Sequence, residues 1–283
     1  MAVSLAEHQP SPRTLVFSHG NGFPAATYST LFEVWRRAGL QVEALDRFGH
    51  DPRFPVTSNW PHLRDQLIAF IDGVDTGPVW LVGHSLGGLL SLMAACRKPR
   101  SVSGAVLLDS PVITGWRAHS LQVIKASGLI GRVSPGRFTR KRRNHWDSRE
   151  AVQAHFARRA SFARWNPRVL ADYLQYGFVD TGNGIELAFD RDIETHIYNT
   201  LPHNLERMLK HHPLQCPMGF IAGTRSREMR QGGVHASRRL AGPFFQTIEG
   251  THLFPMERPE ETAQRVLDLL QAMNGGRAPT RPL

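Results

Sequence analysis

The chain has 283 residues, 41% hydrophobic and 20% charged, with 34 Lys+Arg against 24 Asp+Glu and a formal net charge of +10. This is an ordinary soluble globular composition, and no run approaches 18 apolar residues, so no integral membrane segment is expected. No recognisable nucleic-acid-binding module accompanies the charge, which therefore reads as a solvated basic surface with no nucleic-acid partner.

Residues 1–12 are polar, contain Pro10 and Pro12, and lack the basic start and apolar run of a secretory signal. They read as a flexible terminus of a cytoplasmic protein. Arg13–Ser18 (RTLVFS) is the first expected strand and ends at His19-Gly20-Asn21-Gly22. Ala26–Arg37 reads as a helix with Leu31, Val34 and Trp35 on one face, and Gln41–Leu45 as the next strand, closing at Asp46 before Arg47-Phe48-Gly49-His50. Asn59 is the expected cap of a helix with Pro61 in its first turn, running to about Asp72.

Pro78–Val82 (PVWLV) is a strand leading directly into Gly83-His84-Ser85-Leu86-Gly87-Gly88 and a helix over Leu86–Cys96. Ser103–Leu108 is a further strand, ending at Asp109. Near-continuous apolar strands alternating with amphipathic helices predict an α/β protein with a doubly wound, mostly parallel sheet.

The alternation then breaks. Residues 112–213 show only helical stretches rich in arginine and aromatics, and residues 111–212 carry 16 basic against 9 acidic side chains. Regular order resumes with a strand over Pro217–Ala222, a helix near Val234–Leu240, a strand near Phe244–Ile248, and a helix over Pro259–Met273. Residues 274–283 read as a second flexible terminus. The expected layout is a core over 13–111 and 214–273, with a helical cap over 112–213. Cys96 and Cys216 are far apart along the chain and apolar in context; they read as small buried hydrophobes, not as a disulfide or metal site.

Gly83-x-Ser85-x-Gly87 between an apolar strand and a helix is the strongest chemical signal. A serine at such a turn is held strained above the sheet, and glycines two residues to either side leave room for the backbone. The helix N-terminus aims free N–H groups and positive dipole at the same place. A serine hydroxyl needs an adjacent base, and His252 stands where one is required, after the last strand and before the last helix.

HGNG (19–22), DRFGH (46–50), GHSLGG (83–88) and GTHLFPMERPEE (250–261) together resemble the α/β-hydrolase superfamily, over roughly 13–111 and 214–273. The resemblance implies Ser85 as nucleophile, His252 as general base, and the backbone N–H groups of Asn21 and Leu86 as the oxyanion hole. It implies no cofactor and no metal. The acid departs from the pattern. The loop after Pro217–Ala222 usually carries it as Gly-x-x-Asp, but reads Gly223-Thr224-Arg225-Ser226-Arg227-Glu228, with Ser226 in the aspartate's slot. Asp109, at a strand end, is the favoured acid, and Glu228 is the alternative.

The expected activity is hydrolysis of a carboxylic ester of a small apolar acyl or aryl substrate. Alternatives are thioester or carbon–carbon bond hydrolysis with the same residues, or a non-catalytic ligand-binding role on the same scaffold. Aromatics in the cap (Trp116, Phe138, Trp146, Phe156, Phe162, Trp165, Tyr173, Tyr176 and Phe178) imply an apolar pocket, in part after packing the cap itself. The basic run Arg137–Arg143 reads as a solvated face.

Overall fold

The computed structural model describes residues 13–74 and 77–275. β1 (Thr14–Ser18) passes through one 3-10 turn, Ala25–Tyr28, into α1 (Ser29–Arg37). β2 (Gln41–Ala44) is followed by α2 (Pro61–Asp72), and β3 (Val79–His84) by α3 (Leu86–Arg97). After β4 (Val102–Leu108) the chain leaves the sheet through α4 (Gly115–Ala126), α5 (Ile130–Val133), α6 (Gly136–Thr139), β5 (His145–Trp146), α7 (Arg149–Ala157) and α8 (Pro167–Tyr176). It continues through β6 (Phe178–Asp180), β7 (Ile185–Leu187), α9 (Arg191–Asn199) and α10 (Leu205–His211). β8 (Met218–Gly223), α11 (Arg227–Gly232), α12 (His235–Ala241), β9 (Phe245–Ile248), α13 (Phe254–Glu257) and α14 (Pro259–Asn274) complete the chain.

The main sheet has the order β2-β1-β3-β4-β8-β9, and every neighbouring pair is parallel. Such a sheet needs cover on both faces, and the strand residues divide accordingly with period two. Val16, Leu81, Ala105, Leu107 and Phe220 face a core with α2, α3 and α12. Leu15, Phe17, Val82, Val106 and Ile221 face the opposite core, with Leu31 and Trp35 of α1 and Val266 and Leu269 of α14. Helix α3 is buried from Leu86 through Cys96, as its near-continuous apolar sequence requires. The winding direction reverses between β1 and β3, and the crevice beyond the strand ends at such a switch point is where this architecture places ligands.

The connection between β4 and β8 is not wholly helical. β5, β7 and β6 form a small antiparallel sheet, with strands of two or three residues that hydrophobic periodicity cannot register. Asn59 does not cap α2. Asn59 and Trp60 both take left-handed conformations, with φ of 66° and 57°, and Trp60 occupies the cap position. The pair instead clamps the end of α9. Asn59 N–H donates to the Thr200 carbonyl (3.0 Å), its Oδ1 accepts the His203 N–H (2.9 Å), and Trp60 Nε1–H donates to Thr200 Oγ1 (3.1 Å).

Cys96 and Cys216 are free thiols, though they pack in one core cluster despite their separation in sequence. Burial pushes the thiols up to about 12 and about 11. Helix α14 extends through Asn274, capped by Gly275; the remaining residues expected to be flexible, 1–12 and 276–283, lie outside the described residues. Among the described residues no helix is long and apolar enough to cross a membrane.

Candidate active site

The segments following β1, β3, β4 and β9 meet at the switch point, and each delivers one part of the site. Ser85 follows β3 with φ 53° and ψ −113°, a strained combination for a residue with a Cβ, costing about 1–3 kcal/mol. Its N–H donates to the Leu108 carbonyl (2.9 Å), and the Gly87 N–H to the His19 carbonyl (3.1 Å), which ties the elbow to both flanking segments. The glycines are sterically required. A Cβ on Gly83 would lie 2.3 Å from the Gly87 carbonyl, and one on Gly87 2.0 Å from the Ser18 carbonyl oxygen. Because both obstacles are backbone, Gly87→Ala is expected to cost at least the about 1–3 kcal/mol of an overpacked core. A thermal melt should then show Tm lower by several degrees; an unchanged Tm would mean the elbow is looser than its contacts imply.

His252, in the turn after β9, bridges the other two groups. Its Nε2 lies 2.9 Å from Ser85 Oγ, and its Nδ1 lies 2.7 Å from Asp109 Oδ2. This geometry assigns the proton to Nδ1, donated to the carboxylate, and leaves Nε2 to accept from the serine hydroxyl. Asp109 is fully buried at the end of β4, with φ 48°. Its Oδ1 accepts the Gly223 N–H (2.7 Å), and Oδ2 also accepts the Ser226 hydroxyl (2.5 Å). Ser226, standing in the slot where an aspartate is usual, thus supports the carboxylate that comes from β4. Its Oγ also accepts the Met229 N–H (3.1 Å), capping α11.

Glu228 is farther from the histidine. Its Oε2 is 3.9 Å from His252 Nδ1, beyond hydrogen-bond range, and its side chain is 47% exposed. Burial pulls the His252 imidazole down, but the hydrogen bond and charge of Asp109, helped by the charge of Glu228, outweigh it and hold the pKa above 6.5. Asp109, Glu228 and His252 offer ligand atoms within 4.8 Å of one another, which is also a cation-compatible spacing. The Asp109–His252 and Asp109–Ser226 hydrogen bonds already engage Asp109 Oδ2 and His252 Nδ1.

A second chain of hydrogen bonds supports the first from below, and the sequence reading did not include it. The Gly20 N–H donates to Tyr28 Oη (3.0 Å), and Oη lies 2.7 Å from His84 Nδ1. His84 Nε2 lies 2.9 Å from the His252 carbonyl oxygen. Burial, then the neighbouring His252, holds His84 well below the usual imidazole range, so it is neutral, with its proton on Nε2 facing the carbonyl. His19 is pushed down to about 4 by burial and accepts the Phe48 N–H at Nε2 (2.9 Å). Both histidines act as neutral struts.

Leu86 is the first residue of α3, where the N–H has no intrahelical acceptor, and no protein acceptor takes the Asn21 N–H among the described residues. Asn21 is held from the connecting segment, its Nδ2–H donating to the Glu194 carbonyl (3.0 Å). Glu194 is itself buried and paired with Arg142 (3.0 Å).

Two cavities open at Ser85 and His252. One, about 490 Å³, is apolar, lined by Leu86, Leu89, Ile113, Leu121, Ile124 and Ile197 among others. The other, about 710 Å³, is lined by Arg164, Arg225, Arg227 and Arg230 together with Asn21 and Leu253, among others. The aromatic lining expected from sequence is largely not there. Trp146, Phe156, Trp165, Tyr173 and Phe178 are buried in ring-to-ring contacts with one another and with Phe162, while Phe138 and Tyr176 face outward. Of that aromatic set, Trp116 alone borders the apolar cavity. Aromatic residues suit the small core of an insertion that buries little else, and aliphatic side chains face the site.

The alpha/beta hydrolase family profile matches residues 15–265. Monoglyceride lipase of Rattus norvegicus is 31% identical over 134 residues, covering 44% of this chain and 44% of the lipase. The chain thus spans less than half the length of the first curated relatives it matches. Ethanol acetyltransferase 1 of Eremothecium cymbalariae is 24% identical over 280 residues, 92% of this chain and 75% of that protein. Among solved structures, E-2-(acetamidomethylene)succinate hydrolase superposes with a TM-score of 0.70 at 20% identity, covering 93% of this chain and 92% of that one. With a profile match running from β1 into α14, this chain belongs to the alpha/beta hydrolase family.

Proposed function

We propose that this protein is a serine hydrolase that cleaves a carboxylic ester of an apolar acyl or aryl substrate through an acyl-enzyme. The observation that carries the reading is the unbroken line from Ser85 Oγ to His252 Nε2 (2.9 Å) and from His252 Nδ1 to a fully buried Asp109 (2.7 Å). Ser85 attacks the carbonyl as Nε2 takes its proton, and Asp109 holds the imidazole in the required tautomer and stabilises the imidazolium. The backbone N–H groups of Asn21 and Leu86 receive the oxyanion, worth on the order of several kcal/mol together. His252 then gives its proton to the leaving oxygen, and water repeats the sequence to release the acid. Residues 112–213 serve as a cap. Ile113, Leu121, Ile124 and Ile197 supply its apolar wall, suited to the acyl or aryl part.

A panel of p-nitrophenyl esters, short to long, run beside acyl-CoA thioesters tests the proposal. Turnover of esters should rise with apolar acyl size until the cavity is filled; inertness towards the whole panel would count against the reading. The pH profile is a sharper check. A general base works only when neutral, so kcat/KM should fall on the acid side through a pKa above 6.5 and stay level above it. The Glu228 charge contributes to that raised value, so Glu228→Gln should move the acid limb to lower pH. A limb centred below 6.5 in the parent protein would contradict the assignment of His252.

A further inference from the structure

The second cavity poses a separate question, because an apolar ester alone has no use for it. Four arginines line the space that holds Ser85: Arg164 from the segment before α8, and Arg225, Arg227 and Arg230 from the loop and helix after β8. Arg164 and Arg225 already have carboxylate partners, Glu257 at 3.5 Å and Glu249 at 2.6 Å. Among the described residues, no acidic side chain lies within ion-pair range of Arg227 or Arg230. Two carboxylates also line this cavity: Glu194, which is paired with Arg142, and the half-exposed Glu228, 3.9 Å from His252 Nδ1. Arg227 and Arg230 thus leave two positive charges on this wall without an ion-pair partner among the described residues.

We infer that the arginine-lined cavity binds an oxyanionic group, a carboxylate or a phosphate, carried on the leaving alcohol of the ester. This deepens the serine-ester reading given above and rests on it. Three arguments converge. Arginine forks match the geometry of carboxylate and phosphate, and two guanidinium groups without partners beside a cleft concentrate anions there. The apolar cavity that also opens at Ser85 suits the acyl part, which leaves this space for the alcohol. Both cavities share His252, and this one adds Thr251 and Leu253 beside it, so an alcohol leaving here also meets the imidazole that must protonate it. In the acylation step the bond from Ser85 Oγ to the acyl carbon forms, and the bond from that carbon to the leaving oxygen breaks. The proton that His252 took from the serine passes to the leaving oxygen. The free alcohol, still anionic through its carboxylate or phosphate, departs within the arginine cavity, and water releases the acyl group as the acid.

The test uses the full-length protein and a matched set of butyryl esters, of 3-hydroxybenzoate, of 3-hydroxyphenyl phosphate, and of the neutral 3-hydroxybenzamide. The expected result is a kcat/KM about tenfold higher for one or both anionic esters than for the amide, the size of effect two partly exposed ion pairs can give. That preference should shrink with added salt and fall to near parity in the double variant Arg227→Gln/Arg230→Gln. Comparing ratios within each protein cancels any general loss of activity. Calorimetric titration of the parent protein and the double variant with 3-hydroxybenzoate, 3-hydroxyphenyl phosphate and 3-hydroxybenzamide reads the same site without catalysis. If esters are cleaved but the anionic and neutral ratios match in both proteins, the inference is overturned while the hydrolase reading stands. If no ester is cleaved but an anionic phenol binds more tightly than the amide, and only in the parent protein, the hydrolase reading fails and the anion site remains. Equal binding of all three phenols, with no cleavage, would remove both.

Discussion

Ser85→Ala is expected to remove turnover of every ester the parent protein cleaves, by roughly 10⁴- to 10⁶-fold, and to remove labelling by a fluorophosphonate. The reason is local. Ser85 Oγ is the one hydroxyl placed 2.9 Å from His252 Nε2, and an apolar methyl in its place has no proton to give and no electrons to attack with. The fold should persist. The elbow is held by backbone bonds from Ser85 N–H to Leu108 and from Gly87 N–H to His19, and alanine keeps both. Circular dichroism and Tm close to those of the parent protein would separate lost chemistry from lost structure. Fluorophosphonate labelling that survives at another residue would show that the reactive nucleophile had been misplaced.

The elements that carry this expectation were legible in the sequence because they obey local rules. The central strands β1, β3, β4 and β8 are short apolar runs buried on both faces, and strand, glycine, serine, glycine, helix is a steric pattern contained within a few residues. His252 was legible from its place after the last strand. What escaped notice depends on contacts distant in sequence. The Asn59–Trp60 turn reads as a helix cap until Thr200 and His203, from beyond α9, are seen to take its hydrogen bonds. The aromatics of 112–213 read as pocket lining because composition cannot say which way a ring points, and most of them point at one another. The link from Gly20 through Tyr28 and His84 to the His252 carbonyl joins three separate segments, and nothing in any one of them announces it. Arg225 and Arg227 stand in the segment with the missing aspartate, but only the fold brings them and Arg230 to the cavity at Ser85.

The choice of acid turns on the same distinction. In sequence, strand-end position favours Asp109 and leaves Glu228, on the loop after β8, as the alternative. Their surroundings differ in kind. Asp109 receives the Gly223 N–H and the Ser226 hydroxyl in addition to His252, so its carboxyl group is oriented and shielded from solvent. Glu228 has one long contact, 3.4 Å to Ser226 Oγ, and stands 3.9 Å from the imidazole. Asp109→Asn should therefore lower kcat on the order of 10⁴-fold, the size found when the acid of such a triad becomes an amide. The Gly223 N–H needs an acceptor, which fixes the new carbonyl oxygen on that side and turns the NH₂ towards His252. The imidazole must then accept at Nδ1 and carry its proton on Nε2, the tautomer that cannot take a proton from Ser85. Its pKa should also fall, since the largest upward influences on it come from Asp109, and titration of the ring by NMR reads that directly. Glu228→Gln, which removes a screened charge outside hydrogen-bond range, should cost no more than a few-fold in kcat and lower the acid limb slightly. If the two variants exchanged these effects, Glu228 would be the acid, and the buried Asp109 would serve only to tie β4 to the loop after β8.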